Sequence, residues 1–236
     1  MNPAGGSAAL PFQRGPLRML FSRSPWVATG YLLGYLPLAP VAFALSLAAV
    51  LVATALNVTL LGLPLLVGAA AVLRGFAGVE RRRARPLVGP VPTPYRPVPA
   101  PGVLSALRTR WRDPGTWRDL VYLVPLFPLL LALDAAALTV WFGVLGTITC
   151  PAWYWAVPDG GVLFAGSGNL PAAVGSALVA AVLAPYCSYL VAGAALLHAH
   201  LVRSLLGPAT DPLATARQML TGHGPATHHL SERPTR

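Results

Sequence analysis

The sequence contains no lysine, only seven acidic residues and two cysteines in 236 positions, and only 10% of its residues carry a formal charge. A soluble domain carries about 25% charged residues. Too few charges are available here to coat a water-exposed globule, so a single soluble domain is excluded. The two cysteines, Cys150 and Cys187, form neither a C-x-x-C pair nor a metal-ligand spacing, which predicts unpaired thiols in lipid or in the core. Paired carboxylates, a nucleophile with an adjacent base, a Gly-rich phosphate loop and a dinucleotide fingerprint are missing as well. The chain is therefore expected to be non-enzymatic, with no catalytic residues, no cofactor and no metal site.

What is present is apolar: 55% of the residues are hydrophobic, and the 17 arginines leave a net charge of +10. Such a balance raises the question of nucleic acid, and the placement of the arginines answers it. Ser24 to Leu73 carry no charge, Leu120 to Pro158 carry only Asp134, and Gly160 to Val202 carry none with histidine neutral. A bilayer-spanning helix needs about 20 apolar residues, so the first block accommodates two spans and the others one each. The expected fold class is all-α, an integral membrane protein of four transmembrane helices.

Segment 1–23 holds three arginines, segment 74–119 ten and segment 203–236 four, which accounts for all of them. Under the positive-inside rule both termini and the central loop face the cytoplasm of a cell-membrane protein. The lipid bilayer, with its anionic headgroups, is then the expected partner of the positive charge, and nucleic acid is not needed. The missing lysine reads as the codon usage of a GC-rich genome. The apolar stretch after Arg23 is far longer than a signal-peptide core, so it is expected to stay as the first span.

The chain also repeats itself. Trp26, Tyr31, Leu32, Pro37 and Leu38 recur as Trp117, Tyr122, Leu123, Pro128 and Leu129 at an offset of 91; Arg85, Leu87, Gly89 and Pro90 recur as Arg203, Leu205, Gly207 and Pro208 at an offset of 118. Two helical hairpins, about 25–90 and 114–208, form a parallel repeat in this reading, the second with an enlarged outer loop. Residues 1–24 form a cytoplasmic N-terminal segment, 25–208 the membrane domain and 209–236 a disordered cytoplasmic tail. Residues 86–101, rich in proline, are an extended linker. In 102–118, Leu104, Leu107 and Trp111 share one helical face among arginines, which suits a short helix in the headgroup region.

Candidate functional positions are few. Asp134 is the one formal charge within a span; an ionisable residue there either binds a proton or cation, or accepts hydrogen bonds from neighbouring helices. Pro37, Pro40, Pro64, Pro125, Pro128 and Pro185 are expected inside the spans, with Pro37 and Pro128 as a repeated pair of helix bends. Trp153, Tyr154 and Trp155 lie on the outer side, either as an interfacial anchor or as part of a binding surface. His198 and His200, two residues apart, make a poor metal pair, and His223, His228 and His229 read as part of a solvated tail.

Taken together, Tyr31-Leu-Leu-Gly-Tyr-Leu-Pro-Leu, Leu61-Gly-Leu-Pro-Leu-Leu, Leu73-Arg-Gly-Phe-Ala-Gly-Val-Glu-Arg, Asp113-Pro-Gly-Thr-Trp-Arg-Asp-Leu, Pro151-Ala-Trp-Tyr-Trp and Arg203-Ser-Leu-Leu-Gly-Pro resemble the actinobacterial "putative sensor" domain, a four-helix module often found before the catalytic part of histidine kinases. The resemblance covers about residues 25–208 and implies a membrane sensory input module; no ligand or catalytic residue comes with it. Only 28 residues follow Pro208, so no kinase domain is expected on this chain. The expected role is a sensory or regulatory membrane protein that relays an envelope or bilayer signal to a separate partner, such as a histidine kinase in a two-component system. A small transporter or transporter-associated subunit using Asp134, or a scaffold, are the alternatives.

Overall fold

The computed structural model describes residues 15–59, 61–95, 97, 102–156 and 169–208. Most of the expected N-terminal segment, part of the proline-rich linker, residues 157–168 after the outer aromatics, and the tail with His223, His228 and His229 lie outside the described residues. Among the described residues the chain is helical, without a strand: α1 (Pro16–Leu20), α2 (Ser24–Ala55), α3 (Gly62–Val88), α4 (Val103–Arg112), α5 (Pro114–Leu123), α6 (Phe127–Thr149) and α7 (Leu170–Leu206). Four of these, α2, α3, α6 and α7, are long and apolar enough to cross a membrane, as the neutral blocks require. At 1.5 Å per residue α2 and α7 run about 48 and 55 Å. Both outreach the ~30 Å hydrocarbon core. The chain is a multi-pass membrane protein.

Local chemistry sets the helix ends. Asp113 caps α5 by accepting the Gly115 amide at 3.0 Å, and Asn169 caps α7 by accepting the Ala172 amide at 2.9 Å. Pro125 has no amide to donate to the Val121 carbonyl. Val124 stays in the helical region but is distorted to φ −111, ψ −74, and the Leu126 amide takes the Val121 carbonyl instead, at 3.1 Å. Pro128 then falls in the first turn of α6, where its missing donor costs nothing. The stretch expected to hold the third span is thus two helices, α5 and α6, rather than one span containing Pro125 and Pro128. Pro37 and Pro40 instead sit inside the unbroken α2, and Pro185 inside α7.

Packing follows the hairpins: α2 lies against α3 and α6 against α7, and the pairs meet through α2–α6, α2–α7 and α3–α7. Buried Ala28, Ala39, Ala42, Ala77, Ala192 and Ala195 let these backbones approach, as small residues do where no water drives helices together. Trp141 and Tyr122 are the largest fully buried side chains, and Phe43 stacks on Phe127 at 4.6 Å. Val41, Leu45, Leu129, Leu178 and Val182 point outward, a liability in water and the natural surface in lipid. An open apolar groove of about 840 Å³ runs between α2 and α3, lined by Leu45, Ala49, Val52, Gly68, Val72 and Phe76 among others.

Candidate functional site

Nearly all the buried charge gathers at the arginine-bearing end of the bundle. Tyr31 stands seven residues into α2, Glu80 eight residues before the end of α3, and His198 eight before the end of α7, each about 10–12 Å in from that end. Seen from the opposite end, α3 has about 27 Å of helix before Glu80. The polar residues therefore form a layer near one membrane boundary, closed beneath a mostly apolar bundle.

The layer is a continuous chain of contacts. Arg83 Nη1 donates to both Glu80 carboxylate oxygens at 2.7 and 2.9 Å, and its Nη2 to the Tyr31 carbonyl at 2.6 Å. Glu80 Oε2 lies 3.3 Å from the Tyr122 hydroxyl, which lies 2.9 Å from His198 Nε2. His198 Nδ1 lies 2.8 Å from Asp134 Oδ2. The rings of Tyr31 and Tyr35 meet the imidazole edge-on with centroids at 5.3 and 4.5 Å, and the Arg83 guanidinium lies 5.0 Å from the Tyr31 ring centroid. Asp134, His198 and Glu80 are within 2% of full burial. Side chains from all four spans and from α5 meet here, so each span is linked to the others by polar contacts that lipid could not replace.

A second cluster lies beside it. Arg81 Nη2 donates to Asp119 Oδ1 at 3.1 Å and to the Tyr95 hydroxyl at 2.6 Å, while its Nε donates to the Leu206 carbonyl at the end of α7 at 2.9 Å. The Tyr95 hydroxyl donates to Asp119 Oδ2 at 2.6 Å. Two turns earlier on α3, Arg74 donates to Asp113 Oδ2 at 3.2 Å and Thr116 Oγ1 at 2.9 Å, with its guanidinium 4.2 Å above the Tyr95 ring. The segment Asp113-Pro-Gly-Thr-Trp-Arg-Asp119 is therefore a docking strip for α3. Gly115 suits the close approach within it: a Cβ there would come 3.2 Å from Pro94 Cγ and from Tyr95 Cδ1, which would have to give by a few tenths of an ångström. Arg203 completes the layer by donating to the Val88 carbonyl at 2.9 Å.

Burial outweighs the Tyr95 and Arg81 contacts at Asp119 and pushes its carboxyl up to about 6, and burial raises the Tyr95 phenol too. A carboxyl raised in the folded state holds a proton that the unfolded chain, titrating near ~3.9, has already lost. Its contribution to stability is fully present below about pH 4 and fades as pH rises through about 6. Unfolding in micelles from pH 4 to 7 is expected to show that downward slope, and Asp119→Asn to flatten it. An unchanged slope in Asp119→Asn would assign the titration to another group.

The structure separates the positions that the sequence singled out. Asp134 is in the polar layer, paired to His198. Trp153 and Tyr154 pack on Cys150 and Ala173, with Trp153 Nε1 donating to Thr149 Oγ1 at 3.2 Å, whereas Trp155 is 76% exposed. Pro37 lies in a continuous helix and Pro128 at a helix start, so the two occupy different settings. Cys150 and Cys187 are unpaired, and no group of metal-ligating side chains occurs among the described residues. α4 does not only lie along a headgroup plane: Trp111 Nε1 and Arg110 donate to the Leu66 and Val67 carbonyls of α3, both at 3.0 Å.

Sequence reasoning did not find His198, Glu80 and Tyr122 as Asp134's company. A signal for them existed: Tyr31 and Tyr122 are 91 apart and Glu80 and His198 are 118 apart, the two offsets of the internal match. No match was found among curated proteins or among solved structures. The family profile described as "Putative sensor" matches residues 31–206, a stretch that contains every member of the polar layer from Tyr31 to Arg203. The chain belongs to this sensor family.

Proposed function

We propose that this protein is a non-enzymatic sensory and regulatory membrane protein that relays a change in the envelope or bilayer to a separate signalling partner, with both termini in the cytoplasm of the cell membrane. The observation that carries the reading is the buried layer joining all four spans to α5. A change in how the spans pack moves Tyr31, Glu80, Asp134 or His198, and Tyr122 and Asp119 transmit that movement to α5 and thence to α4. Exposed Arg82 and Arg85 give the same end a basic surface that an acidic face of a histidine kinase or another regulator would fit. The transport alternative needs a polar path from face to face, but the polar layer lies at one end of the bundle and the α2–α3 groove is apolar.

Affinity purification of the tagged full-length chain from native membranes tests the proposal. A histidine kinase, response regulator or transcription regulator is expected to copurify, and to be lost when Arg82 and Arg85 are replaced by glutamate. Recovery of a transporter ATPase without any signalling protein would reverse the order of the two readings.

A further inference from the structure

The contact chain through His198 has one more link than the available protons can supply if the imidazole is neutral. Asp134 Oδ2 lies 2.8 Å from Nδ1, so with Asp134 ionised Nδ1 carries a hydrogen. A neutral ring then leaves Nε2 as an acceptor, and the 2.9 Å contact with Tyr122 uses that residue's single hydroxyl proton. Nothing remains for the 3.3 Å contact between the Tyr122 oxygen and Glu80 Oε2, which would set two acceptors face to face. One additional proton satisfies every link: Nε2–H donates to Tyr122, and Tyr122 O–H donates to Glu80.

Charge gives the same answer independently. The groups facing His198 are Tyr31 and Tyr35 from α2, Glu80 and Arg83 from α3, Tyr122 from α5 and Asp134 from α6. Glu80, Asp134 and Arg83 leave one uncompensated negative charge in a site where Asp134 and His198 are fully buried, and an unbalanced charge there is costly. The additional proton brings the cluster to neutrality. A small cavity of about 220 Å³ at the arginine-bearing end, lined by Val27, Gly30, Tyr31, Arg83, Pro86 and Leu87, reaches two members of the cluster, Tyr31 and Arg83.

We propose that Asp134 and His198 form a proton-binding site that holds one proton beyond a carboxylate and a neutral imidazole, and that this proton keeps α5 and α7 linked to α3 through Tyr122 and Glu80. On release, the proton leaves Nε2 for water, the Tyr122 hydroxyl turns from Glu80 to Nε2, and this one contact with α3 opens while those of Arg81 with Asp119 and the Leu206 carbonyl remain. The site deepens the sensory reading by naming proton activity as an input, and its test needs no knowledge of the downstream partner, so the two can fail separately.

The test is nitrogen NMR of the full chain in lipid nanodiscs, labelled at histidine, with His200, His223, His228 and His229 replaced by glutamine so that only His198 reports. At pH 7 two results support the site. One is a ring protonated at both nitrogens. The other is a ring protonated at Nε2 alone, together with an infrared carboxylic-acid band that Asp134→Asn removes. A ring protonated only at Nδ1, with no acid band, overturns it. Glu80→Gln balances the charge without the proton and is expected to lose it, giving a neutral ring at pH 7; a ring or acid that keeps the proton in this variant would overturn the link to Glu80. Because the measurement on the chain with Glu80 intact decides the first point, a Glu80→Gln variant that failed to fold would not rescue the proposal.

Discussion

Asp119→Ala is expected to destabilise the protein by about 3–5 kcal/mol, the cost of leaving a buried guanidinium without its carboxylate. Arg81 is 4% exposed and Asp119 fully buried, so water cannot substitute for the missing partner. The loss spreads beyond the pair, because Asp119 also accepts the Tyr95 hydroxyl and Arg81 holds the last carbonyl of α7. Arg82→Ala, one position away and exposed, is expected to stay within about 0.5 kcal/mol of the wild type. Denaturant unfolding in mixed micelles compares them directly. Replacing both members, Arg81→Met with Asp119→Leu, should regain most of the loss, since an apolar pair of similar volume removes two desolvated charges together. A residual deficit of about 1 kcal/mol is expected from the Leu206 carbonyl left without a donor. If Asp119→Ala and Arg82→Ala proved equal, the buried pair would contribute nothing to holding α5 on α3.

The same pair explains why part of this protein is legible from its sequence and part is not. Four spans follow from runs of uncharged residues, a property of the chain that needs no knowledge of contacts. The break between α5 and α6 depends on the amide that Pro125 lacks, and hydropathy is blind to it because Val124, Leu126 and Phe127 are as apolar as any span residue. The charged residues at the arginine-bearing end also divide in a way that counting misses. Arg82 and Arg85 are exposed, as a topology signal predicts, while Arg81 is buried and Arg83 and Arg74 are largely so. Arginines that orient the chain and arginines that hold it together are interleaved in one helix turn, and only their neighbours tell them apart. Asp134 stood out in the sequence because it interrupts a neutral block. His198 did not, because a histidine near the end of a span is ordinary until a carboxylate is found 2.8 Å from it.

Glu80→Ala is expected to have the second-largest effect, about 3 kcal/mol, for a different reason. Glu80 stands between α2 and α5: it takes two hydrogen bonds from Arg83, which also holds the Tyr31 carbonyl, and lies beside the Tyr122 hydroxyl. Without it Arg83, 18% exposed, keeps the Tyr31 carbonyl and the faces of Tyr31 and Tyr35, which places the cost at the low end of the range for a broken buried pair. Glu80→Gln retains an acceptor and should cost about 1–2 kcal/mol. The distinguishing measurement is hydrogen exchange. Asp119→Ala is expected to loosen α5 and the end of α7, where its partners lie. Glu80→Ala should instead loosen the start of α2, around Tyr31 to Tyr35, and the last turn of α5 at Tyr122. Equal loosening of the whole bundle in both variants would mean that the layer acts as one unit with no separate route from the spans to α5. Distinct patterns would place Glu80 between the membrane-spanning helices and Asp119 between α5 and the exit of α7, two successive joints along the path a signal would take.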